Sequence, residues 1–217
     1  MASRLHTEGI NQLILLNKRT SIMTAEEKLK NLVLAPYIIK ATALIGIQRG
    51  VGGNQFRHAM ATMAILLDYK LFDDYVLLKA SVIHDLLEDV PGTNEFEIRI
   101  IDGQADRVLE LVKEVTRPKE MEKADYLKGI LEHGSRRAKI LKCADRISNL
   151  TDLHRGIKSD EQISVYLDHT EKYVIPMAKQ VNEDMVKELT DLVARRRKLL
   201  KIIEECNPDR EKDKSTL

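Results

Sequence analysis

The chain has 217 residues, of which 43% are hydrophobic and 32% charged, an ordinary balance for a single soluble globular domain. Its formal net charge of +1 argues against a dedicated binder of nucleic acid or of anionic membranes. Aromatic residues make up only 4%, with no Trp, which argues against a sheet sandwich and against an aromatic base-stacking platform.

Helix signals begin close to the N-terminus. Thr24 followed by Glu27 is a capping-box pattern, which predicts the start of one helix, and Pro36 predicts the start of the next. A glycine-rich loop at residues 49–54 then precedes a helical pattern over residues 55–68. The first third of the chain is therefore predicted to consist of helices joined by short turns.

The next predicted helix, over residues 73–89, combines an apolar stripe with an acidic end. The stripe follows the helical period and includes His84. Acidic side chains at the end of this helix lie at the negative end of its dipole, where they are unfavourable. A satisfied core histidine would explain His84 alone. A bound cation would explain the whole cluster, which consists of His84, Asp85, Glu88 and Asp89.

Helical patterns continue to about residue 205. The basic run at residues 195–198 lies within the last of them and is interpreted as a solvated helix face. No internal repeat or long low-complexity loop stands out. The sequence therefore predicts an all-α fold, with a helical extension over residues 1–46 and a flexible tail over residues 206–217. The remaining helices are predicted at about residues 104–116, 123–133, 135–150, 161–180 and 184–205.

Two further residues extend the cluster into a candidate metal site. His58 lies near the core side of its predicted helix, and Asp145 lies on the polar face of another. Taken singly, His58 could be a core histidine and Asp145 an ion-pair partner of Lys142 or Arg146. Together, two imidazoles and two carboxylates from separate helices suit a catalytic Mn, Fe or Zn ion with positions left for water. The candidate ligands are His58, His84, Asp85 and Asp145.

The segments around these residues resemble the HD-domain phosphohydrolases, and more specifically the hydrolase domain of RelA/SpoT-type alarmone enzymes and their small stand-alone relatives. The family signature His-Asp-x-x-Glu-Asp is present at residues 84–89, and Lys-x-Ala-Asp-Arg-x-x-Asn at residues 142–149. Residues 111–119 are similar to the family's LV-x-x-VT helix, and Arg49 stands where the family has a substrate-facing arginine. The resemblance covers residues 47–173.

The resemblance implies an HD-type hydrolase domain, a helical bundle, over residues 47–205. It implies that Glu88 and Asp89 orient or deprotonate the attacking water, and that Arg49 and Asn149 contact the nucleotide. The implied reaction is hydrolysis of guanosine 3′,5′-bis(diphosphate) at its 3′-pyrophosphate by water that a divalent ion activates. One Mn²⁺ ion, or Fe or Zn in its place, would be held by His58, His84, Asp85 and Asp145.

Several positions depart from the family pattern. Gly50 and Thr151 stand where the family has basic residues, and Ala59 replaces a proline. None of these changes removes a predicted metal ligand, but fewer cations weaken the case for a bis-pyrophosphate substrate. An HD phosphohydrolase for another nucleotide or phosphorylated cofactor, and a non-catalytic metal- or nucleotide-binding module, remain alternatives. The missing charge could come from Lys139, Lys142 or Arg155.

The expected partner is a small-molecule nucleotide, with no nucleic acid and no membrane. Residues 1–19 lack the pattern of a secretory signal, and the apolar segment 32–47 is broken by proline and lysine. Cys143 and Cys206 form no CxxC pair, which is typical of a reducing compartment, so a cytoplasmic location is expected. The extension over residues 1–46 is expected either to pack on the core or to form a homo-oligomer interface.

Overall fold

The structure, a computed structural model, describes residues 23–156 and 158–206. The chain divides into two compact units, residues 1–32 and residues 33–217. The described part of the first unit contains helix α1 (Ala25–Lys30), and Thr24 and Glu27 form the predicted capping box at its start. The first 22 residues of the predicted extension, and the predicted tail beyond Cys206, lie outside the described residues.

The described part of the second unit is α-helical, and its only β-type pairing is an isolated bridge between Gln48 and Asn54. The all-α prediction is therefore confirmed. The α-helices are α2 (Ala35–Ala41), α3 (Gln55–Asp68), α4 (Tyr75–Ile83), α5 (Leu86–Asp89), α6 (Glu95–Arg99), α7 (Ala105–Val115), α8 (Lys123–His133), α9 (Arg136–Asp152), α10 (Asp160–His169), α11 (Ile175–Val181) and α12 (Glu183–Cys206). Short 3-10 helices cover Thr42–Gly46 and Leu153–Arg155, and a π-helical segment covers Thr170–Val174.

Helices α4 and α9 form the centre of this bundle. Every residue of α4 from Val76 to Ile83 is buried, including Lys79, whose ammonium group lies 2.8 Å from Asp102 Oδ2. Helix α4 packs against α3 and α7, and α9 packs against α3, α11 and α12. The polar side chains that face inward from α3, from the end of α4 and from α9 therefore meet inside the bundle.

Two predicted helices are interrupted in the structure. The helix predicted over residues 73–89 ends at Ile83, where the ring of His84 hydrogen-bonds to the Ser81 carbonyl, and a separate turn, α5, follows. The helix predicted over residues 161–180 contains the π-helical segment and restarts with Pro176 in the first turn of α11. Proline has no N–H to donate to the preceding turn, which accounts for the second interruption.

The last part of the predicted extension, residues 33–46, belongs to the second unit. Tyr37, Ala41 and Leu44 are fully buried, because α2 packs on α4 and the following 3-10 helix packs on α3. The division between the units thus falls before the predicted boundary at residue 46. The functional division into extension and hydrolase domain stays a prediction. Within the described ranges, no helix has the length and hydropathy needed to cross a membrane.

Candidate metal centre

Three buried side chains from three helical elements converge inside the bundle. They are His58 on α3, His84 directly after α4, and Asp145 on α9. One potential ligand atom from each lies within 4.8 Å of the other two. His58 Nε2 is 3.1 Å from Asp145 Oδ1, and the two imidazole ring centroids are 5.2 Å apart. A group of this composition could hold a metal ion.

Asp85, the fourth predicted ligand, lies at the edge of this cluster. Its carboxylate oxygens are 3.6 Å from His58 Nε2 and 3.3 Å from His84 Nε2. The side chain retains partial exposure, which leaves one side of the cluster open to solvent. The structure therefore brings the four predicted ligands together, while their coordination of an ion stays a prediction.

The two histidines are oriented by contacts on the far side of each ring. His84 Nδ1 is 2.7 Å from the Ser81 carbonyl oxygen, so Nδ1 carries the proton, because a carbonyl can only accept. His84 Nε2 is then a lone-pair nitrogen, and it is buried with no hydrogen-bond partner among the described residues. His58 Nδ1 is 3.0 Å from Ser148 Oγ, which turns its Nε2 toward Asp145. An unpartnered buried nitrogen facing carboxylates fits a divalent cation.

Asp145 is kept ionised by its neighbours. Burial by itself would raise the pKa of this carboxyl group, but the positive charge of Lys142 and a hydrogen bond with His58 outweigh it. The pKa of Asp145 therefore lies well below its ordinary value. Lys142 Nζ is 2.9 Å from Asp145 Oδ2, whereas Oδ1 lies 3.1 Å from His58 Nε2. An ionised carboxylate in this position is suited to metal ligation.

The two acids predicted to act on water lie on α5, beside the cluster. Glu88 is exposed, lines a cavity that also contains Asp145, and accepts a 3.4 Å hydrogen bond from the backbone N–H of Arg117. Asp89 accepts a 2.6 Å hydrogen bond from the Gln55 side chain. Burial, together with repulsion from Asp85, raises the pKa of Asp89. Of the two, Glu88 is thus the one that faces the cavity.

Arg49 and Asn149, the predicted substrate contacts, touch each other. Arg49 Nη2 donates to Asn149 Oδ1 at 2.8 Å, and Asn149 donates in turn to Asp145. The Arg49 guanidinium also lies 3.5 Å from Asp152, so its charge already has a partner. The glycine-rich loop holds Arg49 in place, because the Gly52 N–H donates to the Arg49 carbonyl and the Arg49 N–H donates to that of Gly53.

A cavity of about 260 Å³ adjoins the cluster, between α5, α8, α9 and α10. Its lining includes residues that the sequence motifs did not single out. Only a local pattern in the sequence indicated two of them. Lys123 and Tyr126 are three positions apart at the start of a predicted helix, so they share one face of it. Besides Glu88, Asp145 and Asn149, the cavity is lined by Arg117, Glu122, Lys123, Tyr126, Leu127, Lys142, Arg146 and Tyr166.

Comparison with known proteins identifies relatives with one shared activity, although no family model matches the chain. The chain is 36% identical over 101 residues to the guanosine-3′,5′-bis(diphosphate) 3′-pyrophosphohydrolase MESH1 of Xenopus tropicalis. The aligned residues cover 45% of this chain and 55% of that protein. The human protein of the same name is 34% identical over 107 residues, covering 48% and 58%. The chain spans little more than half the length of these relatives.

A longer alignment joins the chain to a bacterial protein. The bifunctional (p)ppGpp synthase/hydrolase SpoT of Escherichia coli is 29% identical over 195 residues, which cover 85% of this chain and 26% of that protein. The resemblance identified from the sequence motifs is confirmed by these homologues, which are named as (p)ppGpp hydrolases.

A solved structure confirms the predicted HD-type all-α fold. It is described as a metazoan ortholog of SpoT that hydrolyses ppGpp, and it superposes with a TM-score of 0.64 and 24% identity. The match covers 75% of this chain and 93% of that one.

Proposed function

We propose that this homologue of (p)ppGpp hydrolases cleaves guanosine 3′,5′-bis(diphosphate) at its 3′-pyrophosphate, by direct attack of water. One observation carries the proposal. The inward-facing side chains His58, His84 and Asp145 meet beside a cationic cavity, with a lone-pair nitrogen of His84 left unpartnered among the described residues. The names of the curated relatives, which are (p)ppGpp hydrolases, support this substrate class.

The metal centre is proposed to take one divalent ion. Mn²⁺ is our proposed ion, and Fe or Zn would suit the same mixed nitrogen and oxygen donors. Such an ion, when bound, lowers the pKa of water and neutralises phosphoryl charge. The proposed ligands are His58, His84, Asp85 and Asp145, with Ser81 and Ser148 orienting the two imidazoles.

The remaining predicted residues are proposed to handle the proton and the nucleotide. Glu88 faces the cavity as an exposed carboxylate and would accept the proton from the attacking water. Asp89, held by Gln55, would orient that water. Arg49 and Asn149, joined to each other and to Asp145, would contact the nucleotide.

The proposed partner is therefore a small-molecule nucleotide. The cytoplasmic location stays a prediction from the sequence, and so does the absence of nucleic-acid and membrane partners. A homo-oligomer interface in the extension over residues 1–46 likewise stays a prediction. One observation favours the alternative of a different phosphorylated substrate: Arg49 is paired with Asp152, and Gly50 adds no cation beside it.

The test is incubation of Mn²⁺-loaded protein with guanosine 3′,5′-bis(diphosphate), followed by separation of nucleotide products and free pyrophosphate. We expect the diphosphate nucleotide GDP and pyrophosphate from the wild type. Glu88→Gln should lower turnover by about 10²–10⁴-fold, the usual contribution of a general base, with unchanged metal content. The matched control is Glu110→Gln, an exposed position on α7.

The outcomes separate the hypotheses. Full turnover by Glu88→Gln would refute the catalytic assignment. Unchanged substrate in a metal-loaded wild type, with orthophosphate released from another nucleotide, would favour the alternative phosphohydrolase. Stoichiometric metal without turnover of any nucleotide would favour a binding module.

A further inference from the structure

Three cations surround the ring of Tyr166 on α10. The guanidinium carbon of Arg146 lies 4.0 Å from the ring centroid, the Lys123 ammonium 5.0 Å and the Lys158 ammonium 5.7 Å. Each contact is within cation–π range. Among the described residues, none of the three cations has a carboxylate within 4.0 Å. We call Lys123, Arg146 and Lys158 the cationic cluster.

Arg146 gives the cationic cluster a fixed, desolvated charge. The residue is 2% exposed, and its Nη1 donates to the Tyr166 carbonyl at 3.1 Å and to Thr170 Oγ1 at 2.7 Å. Both acceptors are neutral, so these bonds position the guanidinium without cancelling its charge. A buried charge that lacks a counter-charge is costly unless an anion compensates it.

Lys123 is affected by the same lack of counter-charge. The residue as a whole is exposed, but its ammonium group projects into the cavity beside the ring of Tyr166. Desolvation there, followed by repulsion from Arg146 and Lys142, lowers the pKa of Lys123 to about 8. An anion between these groups would remove both penalties.

The cationic cluster is continuous with the metal centre. Lys123 and Arg146 line the same cavity as Glu88, Asp145 and Asn149. The cavity volume of about 260 Å³ is below the ~300–1,000 Å³ typical of pockets that enclose a whole small molecule. It therefore suits one part of a nucleotide rather than all of it.

The other basic residues near the site are already engaged. Arg49 is paired with Asp152, and Arg155 lies 3.6 Å from the same carboxylate. Lys139 donates to the side chain of Gln180 at 2.7 Å. Lys142 is paired with Asp145. Around the cavity, the positive charge without a described acidic partner thus lies on α8, on α9, just before α10, and at Arg117, whose guanidinium donates only to the Met121 carbonyl.

We propose that the cationic cluster is a subsite for a diphosphate group of the nucleotide, with Lys123 as a specificity-determining residue. The subsite supplies, from α8, α9 and the segment just before α10, the charge that Gly50 and Thr151 do not supply. Charge-assisted bonds to phosphate oxygens are the strong ones, and an ammonium and a guanidinium facing one cavity provide them. The identity of the nucleotide rests on the proposed function, whereas the binding of a diphosphate group does not.

The test measures binding of two probes, inorganic pyrophosphate and GDP, to metal-loaded protein by titration calorimetry. We expect Lys123→Gln to weaken binding of at least one probe by about 10-fold or more, as for the loss of a hydrogen bond to a charged group. Lys123→Arg should retain most of the affinity, because it keeps the charge. Weaker binding of pyrophosphate would indicate that the subsite holds the 3′-diphosphate group. Weaker binding of GDP would indicate that it holds the 5′-diphosphate group.

The matched control is Lys128→Gln on the same helix, an exposed residue 3.9 Å from Glu132. It should bind both probes within twofold of the wild type. All three variants should keep the wild-type metal content and melting temperature, which a purely structural role of Lys123 would change. Wild-type affinity of Lys123→Gln for both probes would overturn the subsite.

The subsite and the proposed function can fail independently. Dependence of pyrophosphate or GDP binding on Lys123 supports the subsite even if guanosine 3′,5′-bis(diphosphate) is not turned over. Conversely, turnover of that substrate with equal KM in the wild type and Lys123→Gln, together with equal probe binding, overturns the subsite and leaves the proposed function standing.

Discussion

At the scale of single residues, the two nitrogens of His84 have very different surroundings. Nδ1 is held by the Ser81 carbonyl, while Nε2 is buried without a hydrogen-bond partner among the described residues. A histidine that only fills the core would be expected to satisfy both nitrogens, since buried polar atoms are rarely left unpaired. The geometry of His84 therefore favours the ligand interpretation over that of a core histidine, both of which the sequence left open.

Ser148 offers a test of how His58 is oriented. Its hydroxyl lies 3.0 Å from His58 Nδ1, and partners on the far side of a ligating imidazole typically change metal affinity by about 10–100-fold when removed. We expect Ser148→Ala to weaken metal binding by a factor in this range. Competition of the protein with a chromophoric chelator measures the change.

The control for that experiment is Thr190→Ala on α12, whose hydroxyl donates to the Val186 carbonyl of its own helix. It should leave metal affinity unchanged. Equal metal affinity of Ser148→Ala and the wild type would show that Ser148 does not orient His58.

At the scale of elements, the loop before α3 and the first turn of α3 form one structural unit. Asn54 caps α3 by accepting from the Arg57 N–H at 2.9 Å, and it also pairs with Gln48 across the loop. Gly52 and Gly53 have φ values of +85° and +74°, in the left-handed region that favours glycine. This arrangement holds Arg49 in the loop and His58 in the helix in a fixed relation to each other.

Two glycine substitutions should therefore change stability in opposite directions. A Cβ at Gly52 or at Gly129 would meet no atom within 4 Å, so only the backbone distinguishes them. Gly52→Ala should lower the free energy of unfolding by about 1–2 kcal/mol, because its φ is positive. Gly129→Ala, inside α8, should raise it by about 0.5–1 kcal/mol.

Urea unfolding followed by circular dichroism measures both values. Gly129→Ala serves as the internal control, since the same methyl group is added without backbone strain. A stabilised Gly52→Ala variant would contradict the role of the left-handed conformation in this loop.

At the scale of the whole molecule, the metal centre joins helices that are distant in sequence. His58 and Asp145 are 87 positions apart, and α3 and α9 pack directly against each other. An ion bound only by the folded arrangement stabilises it by mass action. Metal binding should therefore affect the global unfolding of the second unit.

Addition of Mn²⁺ at about 100 times its dissociation constant should stabilise the wild type by about 2.7 kcal/mol. For a chain of this size, this corresponds to a rise in melting temperature of roughly 5–10 °C, which a chelator should reverse. His84→Ala should lose most of the rise. His133→Ala, whose side chain is 83% exposed on α8, should retain it. An equal rise in His84→Ala and the wild type would place the ion elsewhere.

The sequence by itself determined most of the helices and the motif residues, although the helices predicted over residues 73–89 and 161–180 are interrupted. The capping box at Thr24 and the helix over residues 55–68 depend on side chains within one or a few turns of each other, so local spacing sufficed. The same holds for the two signature segments, which carry three of the four candidate ligands, His84, Asp85 and Asp145. The assignment of roles to those residues stays a prediction.

Only the tertiary structure decided which charges meet. Arg49 and Asp152 are 103 positions apart, and Lys123 reaches Tyr166 from a different helix. Sequence separation does not set such distances; the packing of α8, α9 and α10 around one cavity does. The same packing leaves the cationic cluster without an acidic partner among the described residues, because electrostatic pairing is a property of positions in space and not of order along the chain.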